Sequence, residues 1–172
     1  SPEASQVVYA SSGTDAIPAL METLSYGTPV SLANKESLVI AGPWVMPLVK
    51  DKSRLRPLDS EHNAVWQCLL GETERSVRSI TLTASGGPFR NFGLEELRAV
   101  TPLMALKHPV WPMGAKITVD SATLMNKGLE ILEAMQLFNL PAEKVQAVVH
   151  PQSLVHGMVH FSDCSTKWLL SR

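Results

Sequence analysis

The stretch from Val7 to Ala33 leaves few arrangements open. Val7-Val8-Tyr9-Ala10 is a short strand signal, Ser11 to Asp15 is a turn, and Ile17 to Tyr26 is apolar with helical period and stops at Gly27. Thr28 to Ala33 then reads as a second buried strand. Strand, turn, helix and strand joined this closely form a βαβ unit with a short Gly-bearing turn. The unit lacks a Gly-x-Gly-x-x-Gly fingerprint, so on its own it is a plain α/β unit rather than a nucleotide site. Asn34-Lys35-Glu36-Ser37 follows the second strand, at the carboxyl edge where doubly wound sheets take ligands. It opens a helix towards Val49 that Pro43 and Pro47 are expected to bend or shorten.

Lys50-Asp51-Lys52-Ser53-Arg54 is polar and suited to a linker, which places a domain boundary after Arg54, with residues 1–54 on one side and 55–172 on the other. A chain of 172 residues is long enough for one full core or two small ones. Beyond the boundary, Leu55 to Leu58 is a brief extended run, and His62 to Leu70 a helix ending at Gly71 with Val65, Trp66 and Leu69 on its apolar face. Val77 to Ala84 is a strand, and Leu94 to Val100 and Pro102 to Lys107 are short helices. His108 to Gly114 is a loop, Lys116 to Val119 a strand, and Ser121 to Phe138 one helix. Val145 to Val149 and Leu154 to Phe161 are strands, which makes the second domain α+β or mixed.

The totals exclude several function classes. A formal net charge of -1 argues against a nucleic-acid surface or a polybasic membrane patch. No apolar run is long enough to span a bilayer. Cys68 and Cys164 are far apart and outside any metal-type spacing, so free thiols are expected. His150, His156 and His160 bring no Cys or carboxylate at ligand spacing, and a zinc site is not expected from them.

The chemistry-bearing residues cluster in a few short stretches. On the helix expected from Ser121, Thr123, Asn126, Lys127, Glu130 and Glu133 fall within an arc of about 120°, and Met125, Leu129, Leu132 and Met135 fill another. Two readings fit: an ordinary amphipathic helix, or an apolar buried face opposite one that meets a charged ligand. Asp59 and Glu61, projecting to one side of an extended backbone, would join Glu130 in an all-oxygen set suited to a hard divalent ion, Mg²⁺ or Mn²⁺. Ser85, Ser121, Asn126 and Lys127 offer neutral donors and one cation, the chemistry of a phosphate pocket on a small molecule. Ser85-Gly86-Gly87 can aim main-chain N–H groups at an anion or be a simple turn. The loop bearing His108 and Trp111 reads equally as a lid over a ligand or as a segment anchored by Trp111 in the core.

Read together, Leu32-Ala33-Asn34-Lys35-Glu36-Ser37-Leu38-Val39, Pro57-Leu58-Asp59-Ser60-Glu61-His62, Thr83 to Phe89, His108-Pro109-x-Trp111-x-Met113-Gly114, Val119 to Glu130 and His150-Pro151-Gln152-Ser153 closely resemble the 1-deoxy-D-xylulose 5-phosphate reductoisomerase family, in the family's order. The resemblance runs from about Val7 to Asp163. It implies the C-terminal part of a Rossmann-like NADPH-binding domain followed by a catalytic α+β domain. It implies Asp59, Glu61 and Glu130 as ligands of Mg²⁺ or Mn²⁺, with Co²⁺ admissible, and Lys35, Ser60 and Glu61 near the substrate's oxygens. Ser85, His108, Ser121, Asn126 and Lys127 match its substrate and phosphate contacts, Trp111 would cover the substrate, and Asn34, Glu36 and Gly114 match positions that meet NADPH. The implied reaction rearranges the sugar phosphate to a branched aldehyde and reduces it to 2-C-methyl-D-erythritol 4-phosphate, on the non-mevalonate route to isoprenoids. A homodimer in the bacterial cytoplasm or a plastid-like organelle is the implied setting.

Two departures shape the expectation for the chain itself. The Gly-rich nucleotide fingerprint is absent, and the tail from Cys164 to Arg172 fits the family pattern poorly, with Cys164 where glycine is expected. A central fragment that binds metal and phosphate weakly and turns over little alone is the expectation. Two alternatives stand beside it: a non-catalytic fragment, and a metal-dependent sugar-phosphate hydrolase that would use the same carboxylates.

Overall fold

In the computed structural model, which describes residues 4–73, 76–107 and 114–171, the chain forms two sheets joined by shared helices. β1 (Val7–Tyr9) and β2 (Val30–Leu32) pair in parallel, with α1 (Ile17–Ser25) as the crossover. The expected βαβ unit is therefore present. β3 (Leu55–Pro57) pairs in parallel with the other side of β2, giving the order β1-β2-β3. Pro57 has no N–H to offer a further neighbour and sits accordingly on the edge strand.

The first sheet thus continues past the division expected after Arg54. Lys52–Arg54 is a single 3-10 turn capped by Asp51, and the Arg54 guanidinium donates to Gly27 O at 2.8 Å. That bond ties the polar stretch to the sheet instead of leaving it a free linker. The core here is Leu20, Leu24, Val30, Leu32, Leu38, Val45 and Leu55, closed by Leu137 from far along the chain. α2 (Lys35–Val45) contains Pro43 and passes directly into a 3-10 turn at Met46–Leu48, so the helix is shortened as expected.

The second sheet has the order β5 (Val145–Val149), β4 (Val77–Ala84), β6 (Val155–Phe161), β7 (Thr166–Leu170). β4 lies between β5, parallel to it, and β6, antiparallel. α3 (Ser60–Cys68) and α7 (Met125–Phe138) supply Val65, Cys68 and Ala134 to a core with Ile80, Leu82, Val145, Val159 and Phe161. A Cβ on Gly157 of β6 would stand 3.0 Å from Glu61 O, so the missing side chain lets the start of α3 rest directly on the strand. Two short helices, α4 (Leu94–Arg98) and α5 (Pro102–Ala105), follow β4.

Further details were not readable from the sequence. The poorly fitting tail forms a strand, β7 (Thr166–Leu170), paired antiparallel to β6. Cys164 turns the chain between them at φ 69°, a left-handed conformation that glycine adopts most easily. Residues 116–119, expected as a strand, belong to α6 (Ala115–Ala122), where Lys116 and Asp120 pair one turn apart at 2.7 Å. A short apolar run does not by itself distinguish a strand from a helix, and the local pairs decide here. The single helix expected from Ser121 is broken at Leu124, whose φ is 61°, so α6 and α7 are separate. Finally, Asp59 precedes α3 and Ser60 and Glu61 form its first turn, so Asp59 and Glu61 converge through a helix start rather than an extended backbone.

On α7 the charged arc is more buried, and the apolar arc less so, than an amphipathic helix would have them. Lys127, Glu130 and Glu133 are buried, whereas Met125 and Leu132 are about half exposed, at 54% and 46%. Burying an unpaired charge costs several kcal/mol, roughly, so this face is stable only if other elements bring counter-charges to it. α2 and α3 bring them.

Candidate functional site

The site is assembled where α2, α3 and α7 meet. Asn34 starts α2: its Oδ1 accepts from Ser37 N at 2.8 Å, the ordinary N-cap bond, and its Nδ2 donates to Ser11 O and Gly13 O in the turn after β1. The cap points Lys35 inward. Lys35 Nζ stands 2.5 Å from Asp59 Oδ2, 2.9 Å from Asn126 Oδ1 and 3.4 Å from Glu130 Oε1. Lys127 pairs with Glu130 on its own helix and lies 3.7 Å from Glu61 Oε1 on α3. One ligand oxygen each from Asp59, Glu61 and Glu130 fall within 4.8 Å of one another. The three carboxylates therefore converge as the sequence predicted.

A cavity of about 620 Å³ opens beside them. Asp59, Ser60, Glu61, Ser85, Ser121, Asn126, Lys127 and Glu130 all line it, so most of the expected metal and substrate residues share one space. Ser60 Oγ donates to Glu61 Oε2 at 2.7 Å. Ser85 follows β4, and a Cβ on Gly87 (φ 69°) would come within 2.7 Å of Ser121 O. Glycine there seats the Ser85 loop directly on the last turn of α6, which brings Ser85 and Ser121 to the same wall.

The cofactor positions stand apart from this cavity. Every hydrogen-bonding atom of the buried Asn34 amide is engaged in the cap and brace, which leaves its side chain no free donor or acceptor for a ligand. Glu36 Oε1 pairs with Lys116 Nζ at 3.2 Å, and Gly114 is the N-cap residue of α6, two positions before Lys116. The pair draws Glu36 and Gly114 towards one corner. His108 and Trp111 lie outside the described residues.

Sequence reasoning missed several residues of the neighbourhood. His156, Ser153 and Arg56 also line the cavity, brought there by β6, the turn before it and β3. His62 and Glu133 are fully buried behind the carboxylates. The charged arc read from the sequence includes Glu133, three residues after Glu130, but assigns it no part in the site.

The charges are strongly perturbed. Burial works against the charge on Lys35, yet the Asp59 and Glu130 carboxylates hold its pKa above that of an ordinary lysine. Burial likewise opposes ionisation of Asp59, but His62 and Lys35 hold it well below the usual carboxylate range. Burial raises Glu61 to about 7 against the pull of Lys127, with Glu130 and Asp59 adding to the rise. Glu130 is raised, by burial first and then by Asp59, and burial pushes Glu133 to about 7 against the pull of His62. An all-carboxylate donor set, with Asp59 held ionised and Glu61 and Glu130 biased towards their protonated forms, is the chemistry of a hard divalent cation.

Family-level similarity coincides with this geometry. The model of the 1-deoxy-D-xylulose 5-phosphate reductoisomerase C-terminal domain matches residues 55–138, and a 1-deoxy-D-xylulose 5-phosphate reductoisomerase model matches residues 1–42. The chain belongs to the 1-deoxy-D-xylulose 5-phosphate reductoisomerase family. The reductoisomerase of Chlamydia muridarum is 55% identical over 157 residues, covering 91% of this chain and 41% of the relative. That of Zymomonas mobilis, solved in complex with NADPH, is 44% identical with a TM-score of 0.88, over 98% of this chain and 44% of that one. A reductoisomerase solved with NADPH, fosmidomycin and magnesium superposes with a TM-score of 0.87 at 38% identity, over 98% of this chain and 44% of that one. The chain thus spans less than half the length of these relatives.

The pKa shifts make a prediction for this member of the reductoisomerase family. An unfolded glutamate titrates near about 4.3, whereas Glu61 and Glu133 titrate at about 7 when folded. The folded state holds these protons more firmly, so their contribution to stability is complete below the unfolded value and is lost as pH rises through 7. The metal-free chain is expected to melt at a lower temperature at pH 8 than at pH 5. Mg²⁺ is expected to raise the melting point at pH 8 and much less at pH 5, where a proton on Glu61 competes with the ion. Scanning calorimetry in chelator and in Mg²⁺ checks this; a Mg²⁺ effect of equal size at both values would contradict it.

Proposed function

We propose that this chain carries the cation- and substrate-binding half of an enzyme that converts 1-deoxy-D-xylulose 5-phosphate and NADPH to 2-C-methyl-D-erythritol 4-phosphate, in non-mevalonate isoprenoid biosynthesis. The observation that carries the reading is the convergence of Asp59, Glu61 and Glu130 beside Lys35 and Lys127 on a cavity sized for a small molecule. Asp59, Glu61 and Glu130 would hold Mg²⁺ or Mn²⁺, and Co²⁺ is admissible on the same donors. When bound, the cation acts as a Lewis acid on the neighbouring hydroxyl and carbonyl oxygens of the sugar phosphate.

The chain's own residues do the rest. Lys127, Asn126, Ser121 and Ser85 hold the phosphate, and that binding fixes the position of the reacting carbons several bonds away. Lys35, kept protonated by Asp59 and Glu130, donates to oxygens on which negative charge develops. Ser60 orients the Glu61 carboxylate through its 2.7 Å bond. NADPH, met at Asn34, Glu36 and Gly114, supplies the hydride. His108 and Trp111 complete the substrate contacts in this reading.

The wider setting belongs to the same proposal. Bacterial cytoplasm is favoured over a plastid-like organelle by the bacterial relatives. A homodimer is supported by the exposed Val148, Val149, Trp168 and Leu170 on the outer strands β5 and β7. No nucleic-acid partner is proposed, in keeping with a net charge of -1, and among the described residues no helix is long and apolar enough to cross a membrane.

The test is calorimetric titration of this chain with 1-deoxy-D-xylulose 5-phosphate, with and without Mg²⁺, while nicotinamide absorbance in a parallel mixture reports hydride transfer. Binding is expected to require Mg²⁺ and to be lost in Lys127→Ala. Binding indifferent to both would overturn the reading.

A further inference from the structure

Behind the three carboxylates lies a second layer that the proposed chemistry does not use. His62, fully buried, follows Glu61 on α3. Its Nε2 is 2.8 Å from the main-chain oxygen of Glu130 on α7. A carbonyl oxygen only accepts, so Nε2 carries the proton in this bond. The other ring nitrogen, Nδ1, faces Asp59 Oδ2 at 4.0 Å, and Nε2 is also 3.6 Å from Glu133 Oε2. The ring lies nearly parallel to Phe138, with centroids 6.5 Å apart. Among the described residues, His62 Nδ1 and Glu133 Oε2 are buried without a hydrogen-bond partner.

We infer that His62, backed by Glu133, is the positioning residue of the cation site. Asp59, Glu61 and Glu130 repel one another, and they come from two helices far apart in sequence. A strut is needed at their own level. His62 supplies it: it adjoins Glu61 in the chain, faces Asp59, and grips the backbone of Glu130, so one rigid ring fixes the spacing of all three donors. Glu133 Oε2, 3.6 Å from the same Nε2, backs the nitrogen that grips Glu130. A histidine that donates to a main-chain carbonyl beside metal ligands tunes their orientation without touching the ion. The assignment rests on the cation site of the proposed function and adds the residue that sets its dimensions.

The experiment uses this chain with Mn²⁺ alone, followed by electron paramagnetic resonance, and inorganic phosphate, followed by calorimetry. His62→Phe keeps the volume and the stacking on Phe138 and removes the donor, whereas His62→Gln keeps a donor at the reach of Nε2. His62→Phe is expected to weaken Mn²⁺ binding about tenfold or more, with phosphate affinity unchanged, and His62→Gln to recover most of the loss. Equal Mn²⁺ affinity in His62→Phe, parallel loss of both ligands, or no recovery in His62→Gln overturns the assignment. If circular dichroism shows His62→Phe unfolded, Glu133→Gln decides: Mn²⁺ binding is expected to weaken with phosphate unaffected, and an unchanged Mn²⁺ affinity overturns it. Failure of the unmodified chain to bind Mn²⁺ is a different result, which removes the cation site itself and this assignment with it.

Discussion

Glutamine at position 130 is expected to abolish the chain's response to divalent cations while leaving it folded. Glu130 is 2% exposed, and its carboxylate meets Asn126 Nδ2 at 2.5 Å, Lys35 at 3.4 Å and Lys127. Glutamine preserves the volume and one acceptor oxygen for those donors, so packing and much of the hydrogen bonding survive. What is lost is the third anionic ligand. Removing it is expected to weaken Mn²⁺ binding by about 100-fold or more, at or beyond the upper end of what a change behind the ligands costs. The gain in melting temperature on adding Mg²⁺ should vanish in the same variant. Paired Mn²⁺ titration and thermal melts check this, and a Mg²⁺-dependent rise that persisted in Glu130→Gln would exclude Glu130 as a ligand.

The sequence made the first sheet readable because local signals and global arrangement agree there. The runs at Val7 and Thr28 are short, apolar and bounded by turns, and the helix between them has the right length for a crossover. β3 was harder to place, since a three-residue strand ending in proline looks like the start of something new. Residues 116–119 went wrong because Ile117, Thr118 and Val119 have strand propensity, while the features that make them helical are a Lys116–Asp120 pair and a Thr118 hydroxyl bonded back to Gly114 O at 2.8 Å. Such local bonds override propensity without altering the apolar pattern.

The candidate site was legible as a set of residues and illegible as a surface. A helical wheel sorts α7 into a charged arc and an apolar arc, but it carries no information on which arc faces inward when the charges have partners. Lys35 and Asp59 lie more than seventy residues before Glu130, outside any window over which periodicity is read. With counter-charges from α2 and α3, Lys127, Glu130 and Glu133 are buried together, and Met125 and Leu132 of the other arc are left towards solvent. The roles of Glu133 and His62 escaped for the same reason: neither the arc that holds Glu133 nor the motif that holds His62 shows that both side chains are buried behind the carboxylates.

Replacing Lys35 with methionine is expected to convert the chain into one that needs a divalent cation to remain stable. Methionine has nearly the same length and no charge, so the loss is electrostatic rather than steric. Lys35 is 7% exposed and neutralises Asp59 at 2.5 Å and Glu130 at 3.4 Å. Removing one partner from such a buried arrangement costs roughly 3–5 kcal/mol, because the remaining charges stay desolvated and uncompensated. Two escapes are open to them. Protonation is one: with Lys35 gone, Asp59 loses one of the groups that, with His62 and Glu61, hold its pKa down, so the deficit should be smaller at pH 5 than at pH 8. Cation binding is the other, and it should stabilise Lys35→Met by more than it stabilises the unmodified chain, since the ion replaces a missing charge instead of competing with one already present. Urea unfolding at pH 8, with and without Mg²⁺, measures both quantities. A variant no more dependent on Mg²⁺ than the parent would mean that Lys35 and the cation do not share the same carboxylates, and the cavity would then need a different source of positive charge.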